Sequence, residues 1–127
     1  MNSVVIAIGS NIDPRTNTQR AVQILEQKYK IIQTSAFVET KPLVFIEQPN
    51  FLNGAVLMET GQSREELKEA LKQIETALGR SYSANKCGPR TIDLDIVVWN
   101  EDIIDKDFYA RDFLKNSVLE LLPNLRY

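Results

Sequence analysis

The sequence predicts an α/β (α+β) fold: a ferredoxin-like βαββαβ core with helices packed on a mainly antiparallel sheet. Three observations carry this reading. Strand-like and helix-like segments follow one another as strand, helix, strand, strand, helix, strand, the order in which two split β-α-β units share a sheet. Both helical stretches show apolar residues at helical spacing. No repeat, low-complexity tract or linker interrupts the 127 residues. A chain of that size can hide about two-thirds of its unfolded surface, so residues 1–127 read as a single domain with one ordinary core.

The elements follow in order. "SVVIAIGSN" is a β-branched run ended by Gly9, Ser10 and Asn11, hence a buried strand and a turn. From about Pro14 to Lys28, Ala21, Val22 and Leu25 recur at helical spacing and give the first helix. "KIIQTSAFVET" reads as one extended segment, with Pro42 and Pro49 punctuating the loop after it, and "FLNGAVLMET" is the third strand. Ser63 and Glu66 form a capping box that opens the second helix. Leu67, Ala70, Leu71, Ile74 and Leu78 make its apolar stripe, Glu75 borders that stripe, and Gly79 supplies the stop. A polar, irregular stretch then leads into the strand "TIDLDIVVW".

Composition narrows the chemistry. A net charge of -2 argues against a broad nucleic-acid surface. No apolar stretch approaches the roughly 20 residues that span a bilayer, and the start of the chain lacks the basic head of a signal peptide. Cys87 stands alone, which suits a reducing compartment. The expectation is a soluble cytoplasmic protein with no nucleic-acid or membrane partner; oligomeric state stays open. There is no histidine, so a metal would be held by carboxylates, favouring magnesium, manganese or calcium.

One stretch departs from a plain buried strand. Asp93 and Asp95 are two apart, so they share a face with Thr91 and Val97, while Ile92, Leu94, Ile96 and Val98 take the other. If the two carboxylates converge to about 4.5 Å they repel by roughly 3–4 kcal/mol at an effective dielectric near 20. A solvated polar face would relieve that repulsion, and so would a hard cation or nearby arginines. Arg80, Lys86 and Arg90 lie close in sequence. Carboxylates beside fixed cations suit magnesium and a polyphosphate, although the chain has no Gly-rich phosphate loop of the Lys-Ser/Thr kind.

Several segments together resemble the hydroxymethyl-dihydropterin pyrophosphokinases of folate biosynthesis. "GPRTIDLDIVVW" is similar to their signature, and "IAIGSNIDPRTNTQRAVQIL" to their first strand, turn and helix. "VETKPLVFIEQPNFLNGAVLMET" resembles the pterin-binding loop and following strand, and "LKQIETALGR" the helix before the catalytic loop. The resemblance implies transfer of diphosphate from ATP to the hydroxymethyl group of 6-hydroxymethyl-7,8-dihydropterin, leaving AMP. It implies two Mg2+ ions on Asp93 and Asp95, with Arg80, Lys86 and Arg90 as the basic catalytic residues. Thr40, Pro42, Leu43, Phe51, Asn53 and Phe113 would bind the pterin. Glu75, Arg80, Arg90 and Arg111 would serve the nucleotide.

Two departures mark this chain. Tyr82 and Cys87 stand where relatives often carry arginine and tryptophan, and the segment after the signature is short and lacks a Pro-His motif. "RDFLKNSVLELLPNL" still resembles the closing helix, which is what assigns Arg111 and Phe113. Beside the enzyme stand two other readings: a non-catalytic pterin- or nucleotide-binding homologue, and a structural or interaction module on the same fold.

Overall fold

The computed structural model describes residues 1–42, 47–80 and 89–127. In chain order these form β1 (Asn2–Ser10), α1 (Pro14–Lys28), β2 (Lys30–Thr34), β3 (Val38–Thr40), β4 (Phe51–Thr60), α2 (Arg64–Ala77), β5 (Asp93–Trp99), β6 (Asp102–Ile103), α3 (Asp107–Ala110) and α4 (Asp112–Leu121). Leu43 and Lys86, with Tyr82 and Cys87, lie outside the described residues.

The strands make one sheet in the order β2-β4-β1-β5-β6, with β3 also on β4. Every pairing is antiparallel. β1 is central and covered on both faces, which explains why its apolar run is continuous rather than alternating. Val4, Ile6 and Ile8 face α1 and α2, packing with Leu25, Leu67, Leu71 and Ile74. Val5 and Ala7 face α4, where Leu114, Val118 and Leu121 close a second core with Phe108. Truncating a fully buried leucine such as Leu67 costs about 2–5 kcal/mol in such cores.

The capping box of α2 is present: Ser63 Oγ accepts from Glu66 N at 3.1 Å, and Glu66 Oε1 accepts from Ser63 N at 2.9 Å. Gly79 ends the helix with φ at 97°, a left-handed conformation that a side chain would strain. Among the described residues no helix is long and apolar enough to cross a membrane.

Three features correct the sequence reading. The segment expected as one strand breaks at Ser35, whose hydroxyl accepts from Ala55 N and whose own N–H donates to Ala55 O, each at 2.8 Å. That side chain replaces a ladder partner, and Phe37 then lies so close over β4 that a Cβ on Gly54 would sit 2.7 Å from its ring. Second, the strict alternation of β5 fails beyond Ile96. The register passes from Ile6↔Ile96 to Val5↔Val98, a bulge that puts both Val97 and Val98 into the α4 core. Third, the short segment after β5 is a hairpin followed by α3. Asn100 turns it with φ at 57°, β6 pairs with Val98 and Trp99, and Ile104 N donates to Val97 O at 2.8 Å.

Candidate active site

The floor of the site is a row of residues across three strands. Gly9 of β1 pairs with Asn53 on β4 and with Asp93 on β5; one step along the same face, Ala7 pairs with Ala55 and Asp95. Small residues on the middle strand leave room above it. Gly9 matters sterically, because a Cβ there would stand 2.8 Å from Asn53 Oδ1. The Asn53 amide is oriented by Thr40, whose Oγ1 accepts from Nδ2 at 2.6 Å. Phe51 is partly buried two residues along β4 from Asn53, hence on the same face. Pro42 is buried at the end of the segment leaving β3.

A guanidinium bridges α2 and β5. Arg80 Nη1 lies 2.7 Å from Glu75 Oε2 and 2.9 Å from Asp93 Oδ1. Glu75 is only 4% exposed, and its Oε2 also accepts from Leu94 N at 2.7 Å. Glu75 borders the apolar stripe as expected and is buried there besides. The carboxylate lies beneath the aspartate strand, where Arg80 and a backbone amide offset its burial. Arg90 Nη1 approaches Asp93 Oδ2 at 3.9 Å, so two arginines flank Asp93.

Asn11, which the sequence showed merely as a turn residue, fixes the Arg90 backbone. Its Oδ1 accepts from Arg90 N at 2.7 Å, and its own N–H donates to Arg90 O at 3.1 Å. The same side chain donates to Gln48 Oε1 and to Pro49 O. At 2% exposed it ties three segments together, through partners too distant in sequence to be foreseen.

Asp95 differs from Asp93. Enclosure by the surrounding protein, then the charges of Asp93, Asp105 and Glu75, push its carboxyl up to about 7. Its surface still opens to solvent, so the enclosure is that of a recess rather than of a core. Asp105 arrives from the hairpin after β5, and no spacing in the sequence announced it.

Two hollows meet at Asp95. A cavity of about 60 Å³ lies between the sheet and α4, lined by Ala7, Gly9, Asn53, Asp93, Asp95 and Phe113 among others. An open cleft of about 620 Å³ lies on the other side, walled by Leu71 and Ile96 with Arg64, Lys68 and Lys106 at hand. Phe113 lines the cavity, whereas Phe51 does not. Arg111 stays at the rim, half exposed, its Nε 3.9 Å from Asp107 Oδ2. Among the described residues no group of three or more His, Cys, Asp or Glu side chains is arranged to hold a metal. The carboxylate pair with its two arginines is what remains for a cation or a phosphate chain.

Residues 5–123 match the family model described as 7,8-dihydro-6-hydroxymethylpterin-pyrophosphokinase (HPPK). The 2-amino-4-hydroxy-6-hydroxymethyldihydropteridine pyrophosphokinase of Bacillus subtilis is 40% identical over 111 residues, covering 84% of this chain and 66% of that protein. The Pseudomonas aeruginosa protein of the same name is 32% identical over 134 residues, covering 97% of this chain and 82% of its own. The folate synthesis bifunctional protein of Arabidopsis thaliana is 39% identical over 129 residues, and there the match spans 94% of this chain but only 27% of that protein. With a family match running from the first strand past the closing helix, over an aspartate strand set between two hollows, the chain belongs to the 7,8-dihydro-6-hydroxymethylpterin-pyrophosphokinase family.

Proposed function

We propose that the protein transfers diphosphate from ATP to the hydroxymethyl group of 6-hydroxymethyl-7,8-dihydropterin, releasing AMP, as a step of folate biosynthesis. One observation carries this reading beyond family membership. Asp93 and Asp95 share a strand face where the Asn53–Phe113 cavity meets the open cleft, whose wall carries Arg64, Lys68 and Lys106 among the acidic Glu65, Asp105 and Asp107, with Arg80 and Arg90 on Asp93. An acceptor in the cavity and a nucleotide in the cleft would bring their reacting ends to the same carboxylates. The new bond joins the hydroxymethyl oxygen to the β-phosphorus. The bond broken joins that phosphorus to the oxygen kept by AMP.

Two Mg2+ ions are the proposed cofactor, held by Asp93 and Asp95. The donors fit: both are hard oxygens, and two protein carboxylates leave positions for water and phosphate oxygens, as this ion prefers. Crowded negative charge around Asp95 is also what a cation would relieve. Once bound, the ions would neutralise charge along the transferred group.

The chain's own residues do the remaining work. Arg80 and Arg90 would grip phosphate oxygens, Arg80 from a fixed position because Glu75 holds it. Thr40 aims the Asn53 amide at the ring edge, and Phe113 covers the ring face. Pro42, Leu43 and Phe51 would complete the ring's surroundings, Lys86 would assist the arginines, and Arg111 would reach the nucleotide from the rim. At about 60 Å³ the cavity is well below the roughly 300 Å³ of the smallest ligand pockets. Entry of the ring therefore requires α4 with Phe113 to give way. The cleft of about 620 Å³ already has nucleotide dimensions, and Lys106 from the hairpin gives it a cation without histidine.

The test is turnover with ATP, Mg2+ and the dihydropterin, in the wild type and in Asp95→Ala. Turnover in the wild type, lost in a folded Asp95→Ala, is expected. A wild type that yields no AMP above background at high enzyme concentration would remove this reading.

A further inference from the structure

Eight polar or charged side chains are buried among the described residues. Seven have hydrogen-bond partners, and the manner is typical: Thr18 Oγ1 donates to Pro14 O at 2.7 Å, and Ser10 Oγ to Ile12 O at 3.1 Å. Asn11 and Glu75 are held as described above, and Thr60 Oγ1 accepts from Gln62 N. The eighth is Ser117 on α4. It is 7% exposed, and no donor or acceptor among the described residues pairs with its hydroxyl. Nor does it bond back to the carbonyl four residues earlier, the usual recourse of a helix serine.

Among the described residues no side-chain oxygen or nitrogen is both sealed and unpaired, so the Ser117 hydroxyl must keep some surface of its own. That surface opens into the cavity Ser117 lines with Asn53, Gly54 and Phe113. The neighbouring buried positions of α4 are Leu114, Val118 and Leu121. An alanine at this helix position would avoid the cost of withdrawing a hydroxyl from water and would favour the helix.

The helix is oriented by a second contact. Glu120, one turn beyond Ser117, accepts from Ala36 N at 3.0 Å through its Oε2. This side of α4 therefore leans over the β3–β4 edge, one strand removed from Asp93 and Asp95. Phe113 and Ser117 are one turn apart and face the same hollow. Under the proposed function the hydroxymethyl end of the substrate must reach the aspartates, so the opposite edge of its ring points toward Asn53 and Ser117.

We infer that Ser117 is a substrate-binding residue whose hydroxyl hydrogen-bonds the heteroaromatic edge of the dihydropterin remote from the reacting group. The inference rests on the proposed function for the identity of the ligand. A serine hydroxyl donates and accepts, which suits a ring edge that presents both kinds of group. The contact is the same before and during phosphoryl transfer, so it acts on substrate affinity and not on the chemical step.

Ser117→Ala in the full chain tests this. The dihydropterin KM should rise roughly 3- to 10-fold, as for loss of one neutral hydrogen bond. kcat and the ATP KM should stay within about twofold, and the melting temperature should be unchanged or higher. A merely structural serine would move the melting temperature and leave the KM alone. An unchanged dihydropterin KM in the folded variant, or a fall in kcat with KM unmoved, overturns the assignment while the proposed function stands. If the wild type neither turns over nor binds dihydropterin by calorimetry, both fall together. Should the alanine variant fold poorly, Ser117→Cys makes the same comparison with a weaker donor, and it must raise the dihydropterin KM at least about twofold.

Discussion

Glu75 Oε2 lies 2.7 Å from Arg80 Nη1, with the two side chains 5% and 14% exposed. The pair joins the end of α2 to the strand of the aspartates, because Arg80 also meets Asp93 and Glu75 also takes Leu94 N. Removing Glu75 takes a buried carboxylate from Leu94 N and from one side of the Arg80 guanidinium, which keeps Asp93. Glu75→Ala should cost about 3 kcal/mol of stability and lower kcat by leaving Arg80 less firmly positioned. Urea denaturation followed by circular dichroism reads the first effect, and a loss under about 1 kcal/mol would show that the Glu75 carboxylate contributes little to joining α2 and β5.

Asp95 gives the protein a pH slope. Its carboxyl titrates near 7 when folded, against an ordinary 3.8. Between those values the folded chain keeps a proton that the unfolded chain has lost. The contribution of this group is therefore full below about pH 4 and is lost as pH rises through about 7. Asp95→Asn carries no such charge. It should melt higher than the wild type at pH 8 and almost level with it at pH 4, while turnover drops on the order of a thousandfold. Because the group opens to solvent, the gain at pH 8 should be on the order of 1 kcal/mol rather than the full equivalent of the shift. Equal melting temperatures at pH 8 would contradict the crowding described for Asp95.

The same proton competes with a cation. Binding of Mg2+ to the pair requires Asp95 ionised, so added Mg2+ should raise the melting temperature more at pH 8 than at pH 6. The Asp95→Asn variant should respond weakly at both. Identical Mg2+ responses in wild type and variant would remove Asp95 from the proposed ligands.

Gly9 is open to a steric test. A methyl group there would press on Asn53 Oδ1 from 2.8 Å and displace the amide from Thr40. Gly9→Ala should raise the dihydropterin KM about tenfold with little change for ATP, at a stability cost of about 1–3 kcal/mol. Steady-state kinetics with each substrate varied separately decides the matter. Equal effects on both substrates would mean that Gly9 supports the strand rather than the ring site.

What the sequence made legible was local. The capping box of Ser63 and Glu66, the stripe ending at Leu78 and the paired aspartates are patterns within a few residues, and each stands where the spacing placed it. The split at Ser35 and the bulge before Val98 were hidden, because both depend on which residue of a partner strand lies opposite. The site divides in the same way. Asp93, Asp95 and Asn53 could be named from their motifs. The burial of Glu75, the three-way anchoring by Asn11, the arrival of Asp105 beside Asp95 and the unpaired hydroxyl of Ser117 all arise from contacts between distant segments. Resemblance to a family identified the chemistry but could not show that Glu75 sits under the strand.

Under the proposed function a diphosphate, and not a single phosphate, crosses between the cleft and the cavity at Asp93 and Asp95. Mass spectrometry of a reaction of the wild-type protein with ATP, Mg2+ and 6-hydroxymethyl-7,8-dihydropterin tests it most directly. AMP and the pterin diphosphate should form in equal amounts. ADP with a pterin monophosphate, or unchanged substrates, would contradict it.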